Sequence, residues 1–287
     1  MKSYSSEAIR NIALISHGSA GKTSLAEALL FTSGAINRLG TIETGTTTTD
    51  YDPDEIKRQV TINVGLAPLE WDGVKINLLD TPGYFDFIGD LIGALRVADC
   101  SAVVVCAVSG VEVGTEKVWQ YADDFSLPRL VLINKLDREN ADFTGTIAQL
   151  QEHFGLNVVP VQMPIGKEDD FKGVIDLIEE KALLFSDGEK TVEEQEIPAE
   201  LREQAEAMRE KLIEAVAETD DDLLLKYLEG EMLEVEEIKQ SLRRGILERK
   251  ITPVLCGSAT RNFGSGPLLD FMKSFLPSPL EHGELSG

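Results

Sequence analysis

Positive charge is scarce in this sequence: 27 Lys and Arg stand against 50 Asp and Glu, a formal net charge of −23. That balance argues against a surface that coats nucleic acid, because neutralising phosphates takes clustered Lys and Arg. DNA is therefore not an expected partner, and any RNA has to be met locally. Cysteine is also sparse. Cys100, Cys106 and Cys256 are odd in number, form no Cys-x-x-Cys pair and have no histidine cluster near them. This speaks against a disulfide framework or a zinc site and fits a reducing compartment. Each cysteine lies in an apolar run, so buried thiols are expected. No apolar run reaches the length of a membrane span, and the opening residues MKSYSSEAIRN lack the apolar core of a signal peptide. A cytoplasmic monomer with no membrane partner is expected.

What is present is an ordinary folding composition, 43% hydrophobic and 27% charged, over 287 residues. That length suits one large domain or a domain with a sizeable insertion. In the first half, β-rich runs at 9–16, 61–66, 74–79, 102–108 and 130–133 alternate with helical patterns at 23–31, 86–97, 115–124 and 143–154. This alternation is the mark of βαβ units and a mostly parallel sheet. Residues 34–60 are polar and threonine-rich with no apolar period, and read as a long mobile loop. After residue 154 the composition shifts. VVPVQMPIG and GVIDLIEEKALLF read as strands, and an acidic helical stretch follows from about residue 198 to 249. There Leu201, Ala205, Met208, Leu212 and Val216 recur at helical spacing, as do Val235, Ile238, Leu242 and Ile246. Much of the acid charge is then a solvated helix face. The run ITPVLC and a helix over 267–276 resume the α/β pattern.

Four short motifs carry chemistry. Ser16-His-Gly-Ser-Ala-Gly-Lys-Thr23 follows a strand and opens a helix, the place of a phosphate loop, with Ser16 where the generic pattern has Gly. Its backbone N–H groups and the helix N-terminus suit phosphate. The residues assigned to the phosphates are Ser19, Ala20, Gly21, Lys22, Thr23 and Ser24; Lys22 would reach the β and γ groups and Thr23 a Mg²⁺ ion. Asp80-Thr-Pro-Gly83 ends the strand VKINLLD, so Asp80 can hold Mg²⁺ through water and the Gly83 N–H can meet a γ-phosphate oxygen. Asn134-Lys135-Leu-Asp137 follows RLVLI, and the Asp137 carboxylate can accept from both the ring N–H and the exocyclic amine of guanine. Ser258 and Ala259, after ITPVL, can offer N–H groups to the guanine oxygen. Together, in this order and at strand ends, they point to a protein that binds GTP or GDP with Mg²⁺. The separation of Asp137 from Ser258 exceeds what one helix and one strand need, so something domain-sized is inserted there.

That ordered set with its insertion resembles elongation factor G across essentially the whole chain. Phe171-Lys-Gly-Val-Ile-Asp-Leu, Leu225-Lys-Tyr-Leu-Glu-Gly230, Cys256-Gly-Ser-Ala259 and Leu276-Pro-Ser-Pro279 resemble its nucleotide domain and the helical subdomain inserted in it. Release factor three and the tetracycline-resistance ribosome protectors are related, but the insertion of the former lacks comparable long helices. The resemblance implies a P-loop GTPase domain with a mostly parallel central sheet flanked by helices, over 1–156 and 251–287, and an inserted α+β subdomain over 157–250. It implies a ribosome-dependent GTPase of translocation, slow on its own, with Thr61 joining Thr23 and Asp80 at the metal. Lys22, Gly83 and Tyr84 would be the catalytic set. The inserted subdomain would meet a ribosomal stalk protein and the nucleotide domain the large-subunit RNA. Four further domains would follow, so the chain is expected to be a fragment. Some positions depart from that family's pattern: Ser19 replaces Asp, Gly18 a bulky apolar residue, Gln59 Gly, and Tyr84 His. Some divergent paralogues carry Tyr there. A neutral phenol can orient water but cannot become the cation that His can. A second reading stays open: a GTP-loaded ribosome-binding switch with weak or vestigial hydrolysis. His17 is expected to be structural.

Overall fold

The computed structural model describes residues 2–187 and 190–281. In chain order the first part runs β1 (Ile9–Ile15), α1 (Lys22–Ser33), α2 (Pro53–Arg58), β2 (Gly65–Trp71), β3 (Val74–Asp80), α3 (Ile88–Val97), β4 (Cys100–Cys106), α4 (Val113–Asp124), β5 (Arg129–Asn134) and α5 (Phe143–Phe154). The second runs β6 (Val158–Pro160), β7 (Gln162–Ile165), β8 (Gly173–Asp176), β9 (Lys181–Phe185), β10 (Val192–Gln195), α6 (Arg202–Ala217), α7 (Asp221–Leu228), α8 (Val235–Leu247), β11 (Thr252–Cys256) and α9 (Ser265–Phe275).

Seven strands form one sheet in the order β2-β3-β1-β4-β5-β11-β6, parallel except for β2. Side chains alternate across it, as strands require. Ile12, Leu14, Ala102 and Val104 join one core, which includes Leu25 and Leu29 of α1 and Leu269 and Met272 of α9. Ala13, Ile15, Val103 and Val105 join the other, with Leu91, Val118, Trp119 and Ile147 of α3, α4 and α5. The central strands are apolar on both faces because helices cover both. Cys100, Cys106 and Cys256 are free, buried thiols in β4 and β11.

Residues 61–64 are not a strand; β2 begins at Gly65 and continues to Trp71. The reason is local, since the N–H groups of Ile62 and Asn63 donate to the Glu55 carboxylate and so are not free for a ladder. Pro68 is tolerated inside β2 because β2 is an edge strand. Asp72 and Gly73, at φ 42° and 84°, turn β2 back into β3. The stretch 34–60 also contains a helix, α2, that polar composition hides. Asp52 and Glu55 form a capping box with Pro at its first turn. Caps rather than an apolar face define it.

A second, antiparallel sheet has the order β10-β9-β8-β7. Its strand β10, Val-Glu-Glu-Gln, is mostly exposed and has no apolar alternation to announce it. The helical stripes pack as spaced: Ala205, Leu212 and Val216 of α6, and Ile238, Leu242 and Ile246 of α8, are buried. β6 pairs with β11, so the chain leaves the first sheet only after Pro160. The expected unit 251–287 ends in residues 282–287, which lie outside the described residues. Among the described residues no helix is long and apolar enough to cross a membrane.

Candidate functional site

The four motifs stand at the carboxyl ends of β1, β3, β5 and β11, four of the parallel strands of one sheet. Between β1 and α1 the chain turns through Ser19 at φ 65° and Gly21 at φ 100°. Gly21 caps α1 without any side-chain hydrogen bond, which leaves the first N–H groups of the helix open to an anion. A Cβ on Gly21 would come 2.5 Å from Asn134 Nδ2, so glycine is needed there for space as well as conformation. Lys22 is buried, and its Nζ donates to Ser16 Oγ at 2.8 Å. The serine that replaces a glycine thus holds the lysine. Burial lowers the Lys22 pKa to about 8, against the opposing pull of Asp80 and Asp50.

Gly83 lies so close that a Cβ on it would sit 2.6 Å from Lys22 Nζ and 2.9 Å from Gly18 Cα. Tyr84, 45% exposed, packs over Gly18, where an added Cβ would meet the ring at 3.0 Å. The two departures from the expected pattern are therefore linked, because the missing side chain at 18 makes room for the phenol ring at 84. A hollow of about 540 Å³ lined by His17, Gly18, Tyr84, Phe85 and Val113 opens beside them. His17 itself is buried, its Nε2 3.1 Å from Glu112 Oε1 and its Nδ1 3.2 Å from Thr115 Oγ1. Burial lowers its pKa, which Glu112 opposes. Those contacts tie the phosphate loop to α4.

Thr23 Oγ1 and Thr61 Oγ1 are 2.9 Å apart. Asp80 is fully buried; its Oδ2 accepts from Thr49 Oγ1 at 2.8 Å, and its Oδ1 has no partner. Asp50 Oδ1 and Thr47 Oγ1 are likewise buried without partners. Burial pushes the Asp50 pKa up to about 6, and raises that of Asp80. Leaving a buried carboxylate oxygen unpaired is costly, and a cation at Asp80 would satisfy it. The donor set is all oxygen, hydroxyl and carboxylate, which suits Mg²⁺.

At the carboxyl end of β5 Asn134 joins two motifs. Its Nδ2 donates to Ala20 O at 3.0 Å and its Oδ1 accepts from Ala259 N at 3.0 Å. Lys135 Nζ donates to Ser19 O at 2.7 Å. Asp137 Oδ1 is buried without a partner, and its Oδ2 lies 3.7 Å from Arg138 Nε. Ser24 stands on the first turn of α1 beside Thr23. The Ser258 N–H donates to Phe263 O and the Ala259 N–H to Asn134, so both are engaged within the protein and neither is free for a base. A guanine oxygen could take the Ala259 N–H only by sharing it with Asn134.

Sequence reasoning missed several residues. Glu27, buried on α1, accepts from Gly40 N at 2.9 Å and Thr48 N at 2.8 Å. Glu55 and Asp50 hold the same loop from its other half. Arg261 forks onto Asp187 at 2.9 and 2.7 Å, donates to Phe171 O at 3.0 Å and lies over the Phe263 ring. It thereby fastens the Ser258–Phe263 turn to the second sheet. Of these, only the Asp52-to-Glu55 spacing carries a signal in the sequence.

A phosphate loop, an Asp-Thr-Pro-Gly turn and an Asn-Lys-x-Asp base loop, ranged along the strand ends of such a sheet, define a P-loop GTPase domain. The family model of the elongation factor Tu GTP binding domain matches residues 7–278, and the chain belongs to that family of translational GTPases. It is similar to the crystal structure of ttk003000868 from Thermus thermophilus, with 40% identity and a TM-score of 0.90 over 96% of this chain. The chain spans 41% of the length of that protein.

Proposed function

We propose that this chain is the nucleotide unit of an elongation factor G-like translation factor. It binds GTP or GDP with Mg²⁺ and hydrolyses GTP when engaged by a ribosome, driving translocation or a related ribosomal step. The observation that supports this best is the presence of orphaned buried acceptors in two of the motif regions: Asp80 and Asp50 beside Lys22 of the phosphate loop, and Asp137 in the turn after β5. Guanine supplies the two donors Asp137 lacks. In this reading residues 1–156 and 251–287 form the GTP-binding unit and 157–250 the inserted subdomain, apart from β6, which pairs within the first sheet. The subdomain takes the stalk protein, and the nucleotide unit takes the large-subunit RNA. The setting is the cytoplasm.

Thr23, Thr61 and Asp80 would hold the metal, which when bound neutralises charge gathering on the phosphate oxygens. Lys22 donates to the β and γ groups, and the Gly83 N–H reports the third phosphate. Tyr84 orients the attacking water through its hydroxyl; as a neutral group it adds position rather than charge. Because phosphoryl transfer depends on placement more than on a strong base, a phenol suffices.

Tyr84, Ser19 and Gly18, where the resembling family has His, Asp and a bulky apolar residue, favour the second reading, a GTP-loaded switch with weak or vestigial hydrolysis; the Tyr also suits a divergent paralogue. Multiple-turnover GTP hydrolysis by the full-length protein, with and without ribosomes, separates the two. Ribosome-stimulated turnover supports the hydrolase. Tight GTP binding with no turnover in either case replaces it with the switch.

A further inference from the structure

Glu55 is 1% exposed, yet it lies on the short helix of a polar loop. Its charge is met by the backbone: Oε2 accepts from Asp52 N at 3.1 Å, and Oε1 from Ile62 N at 3.0 Å and Asn63 N at 2.9 Å. The Val60 N–H donates to the main-chain oxygen of the same residue at 3.2 Å. Thr61 is therefore bracketed, with the residue before it bonded to the Glu55 backbone and the two after it to the Glu55 side chain. Its hydroxyl is set 2.9 Å from that of Thr23.

We infer that Glu55 is a positioning residue: it fixes the backbone of residues 60–63 so that Thr61 is presented to the metal and the triphosphate. The inference rests on the Mg²⁺–GTP reading of the site. Hydrogen bonds to a carboxylate are stronger than neutral ones, and a buried carboxylate cannot give up its donors to water without cost. Three such bonds, one from the start of α2 and two from beyond its end, make the carboxylate a clamp on the loop. The clamp is made by the protein alone, and its consequence for affinity is felt where Thr61 has a ligand to meet.

The test compares affinities for GDP and for a non-hydrolysable GTP analogue, each with Mg²⁺, in the whole chain. Glu55→Ala should weaken the analogue by about ten- to a hundredfold, the worth of one charge-assisted hydrogen bond, and change GDP by less than about twofold. Glu55→Gln retains an acceptor for Ile62 and Asn63 but turns an amine toward Asp52, and should lose severalfold with the analogue. If the alanine variant does not fold, the glutamine variant alone decides. Adding Thr61→Ala should abolish any further effect of the change at 55, since the effect runs through that hydroxyl. The Ile62 and Asn63 amides should exchange faster in Glu55→Ala in both nucleotide states. Equal losses for GDP and analogue, or losses that add to those of Thr61→Ala, overturn the proposal in favour of a purely structural role. Failure of the parent protein to prefer GTP over ATP, or to need Mg²⁺, would instead overturn the reading of the site.

Discussion

Replacing Asp137 by Asn exchanges one acceptor oxygen for a donor at the point where base identity would be decided. The Asp137 side chain is 11% exposed. Its Oδ1 has no partner, and the cation at Oδ2 is Arg138, 3.7 Å away and itself 58% exposed, which water screens. The carboxylate is therefore available to the two guanine N–H groups. A hydrogen bond to a charged acceptor contributes about 1.5–3 kcal/mol and a neutral one about 0.5–1.5 kcal/mol, so losing one bond and making the other neutral costs about 2–4 kcal/mol. At about 1.4 kcal/mol per decade, GDP affinity should fall by roughly 10- to 10³-fold. Xanthine presents a carbonyl where guanine has its amine, so the amide that Asp137→Asn introduces would pair with it. Competition against a fluorescent guanine nucleotide by GDP, XDP and ADP reads both effects. The parent should reject ADP, and the variant should prefer XDP. A variant that kept its preference for GDP, or a parent displaced equally by ADP, would refute the role given to Asp137.

Tyr84→Phe keeps the ring and removes the hydroxyl, so the ribosome-stimulated rate should fall about ten- to a thousandfold with nucleotide affinity unchanged; an equal rate rules out the hydroxyl. Gly18→Ile should reproduce that loss, because a side chain there collides with the Tyr84 ring. Gly21→Ala places a methyl 2.5 Å from Asn134 Nδ2 at φ 100°, and should weaken GDP at least about tenfold, given about 1–3 kcal/mol of backbone strain alone; unchanged calorimetric affinity contradicts the geometry. Asp50→Asn concerns pH. A carboxyl raised to about 6 in the fold binds its proton more tightly than in the unfolded chain, so it lowers stability as pH rises from near 4 to 6. Without Mg²⁺ or nucleotide, the variant should match the parent below that window and exceed it by about 1–3 kcal/mol above it. Parallel melting profiles would show that Asp50 carries no such burden.

The elements that the sequence makes legible are those whose signal is periodic. α6 and α8 announce themselves by Leu212, Val216, Ile238 and Leu242 at helical spacing, and β4 and β5 by unbroken apolar runs buried on both faces. The motif residues are legible because their chemistry needs fixed types at strand ends. What stays hidden depends on tertiary approach. β10 has no apolar face, and the start of β2 is decided by the upstream Glu55 carboxylate rather than by the propensity of Thr61 and Ile62. Glu27, Asp50 and Glu55 look like solvated charge until the fold buries them against backbone N–H groups or beside Lys22. Gln59 shows the reverse case. Its φ of 56° at the end of α2 is a conformation that favours glycine, so the residue that breaks the family's pattern sits where that pattern has a backbone reason.

The place of β11 governs the order in which the molecule can be completed. It lies between β5 and β6, yet in the chain it comes after the whole second sheet and α6 to α8. A polypeptide growing from its amino end therefore forms β5 and β6 with an unfilled slot between them and waits for about ninety further residues, on the order of ten seconds at ribosomal speeds. During that time two strand edges stand open, the condition that invites mispairing. The turn after β5 waits as well, because Leu136 N bonds Gly257 O and Ala259 N bonds Asn134 only once β11 has arrived. The residues of the phosphate loop and of Asn134–Asp137 are thus made early, while the backbone contacts that brace Asn134 and Leu136 are completed last.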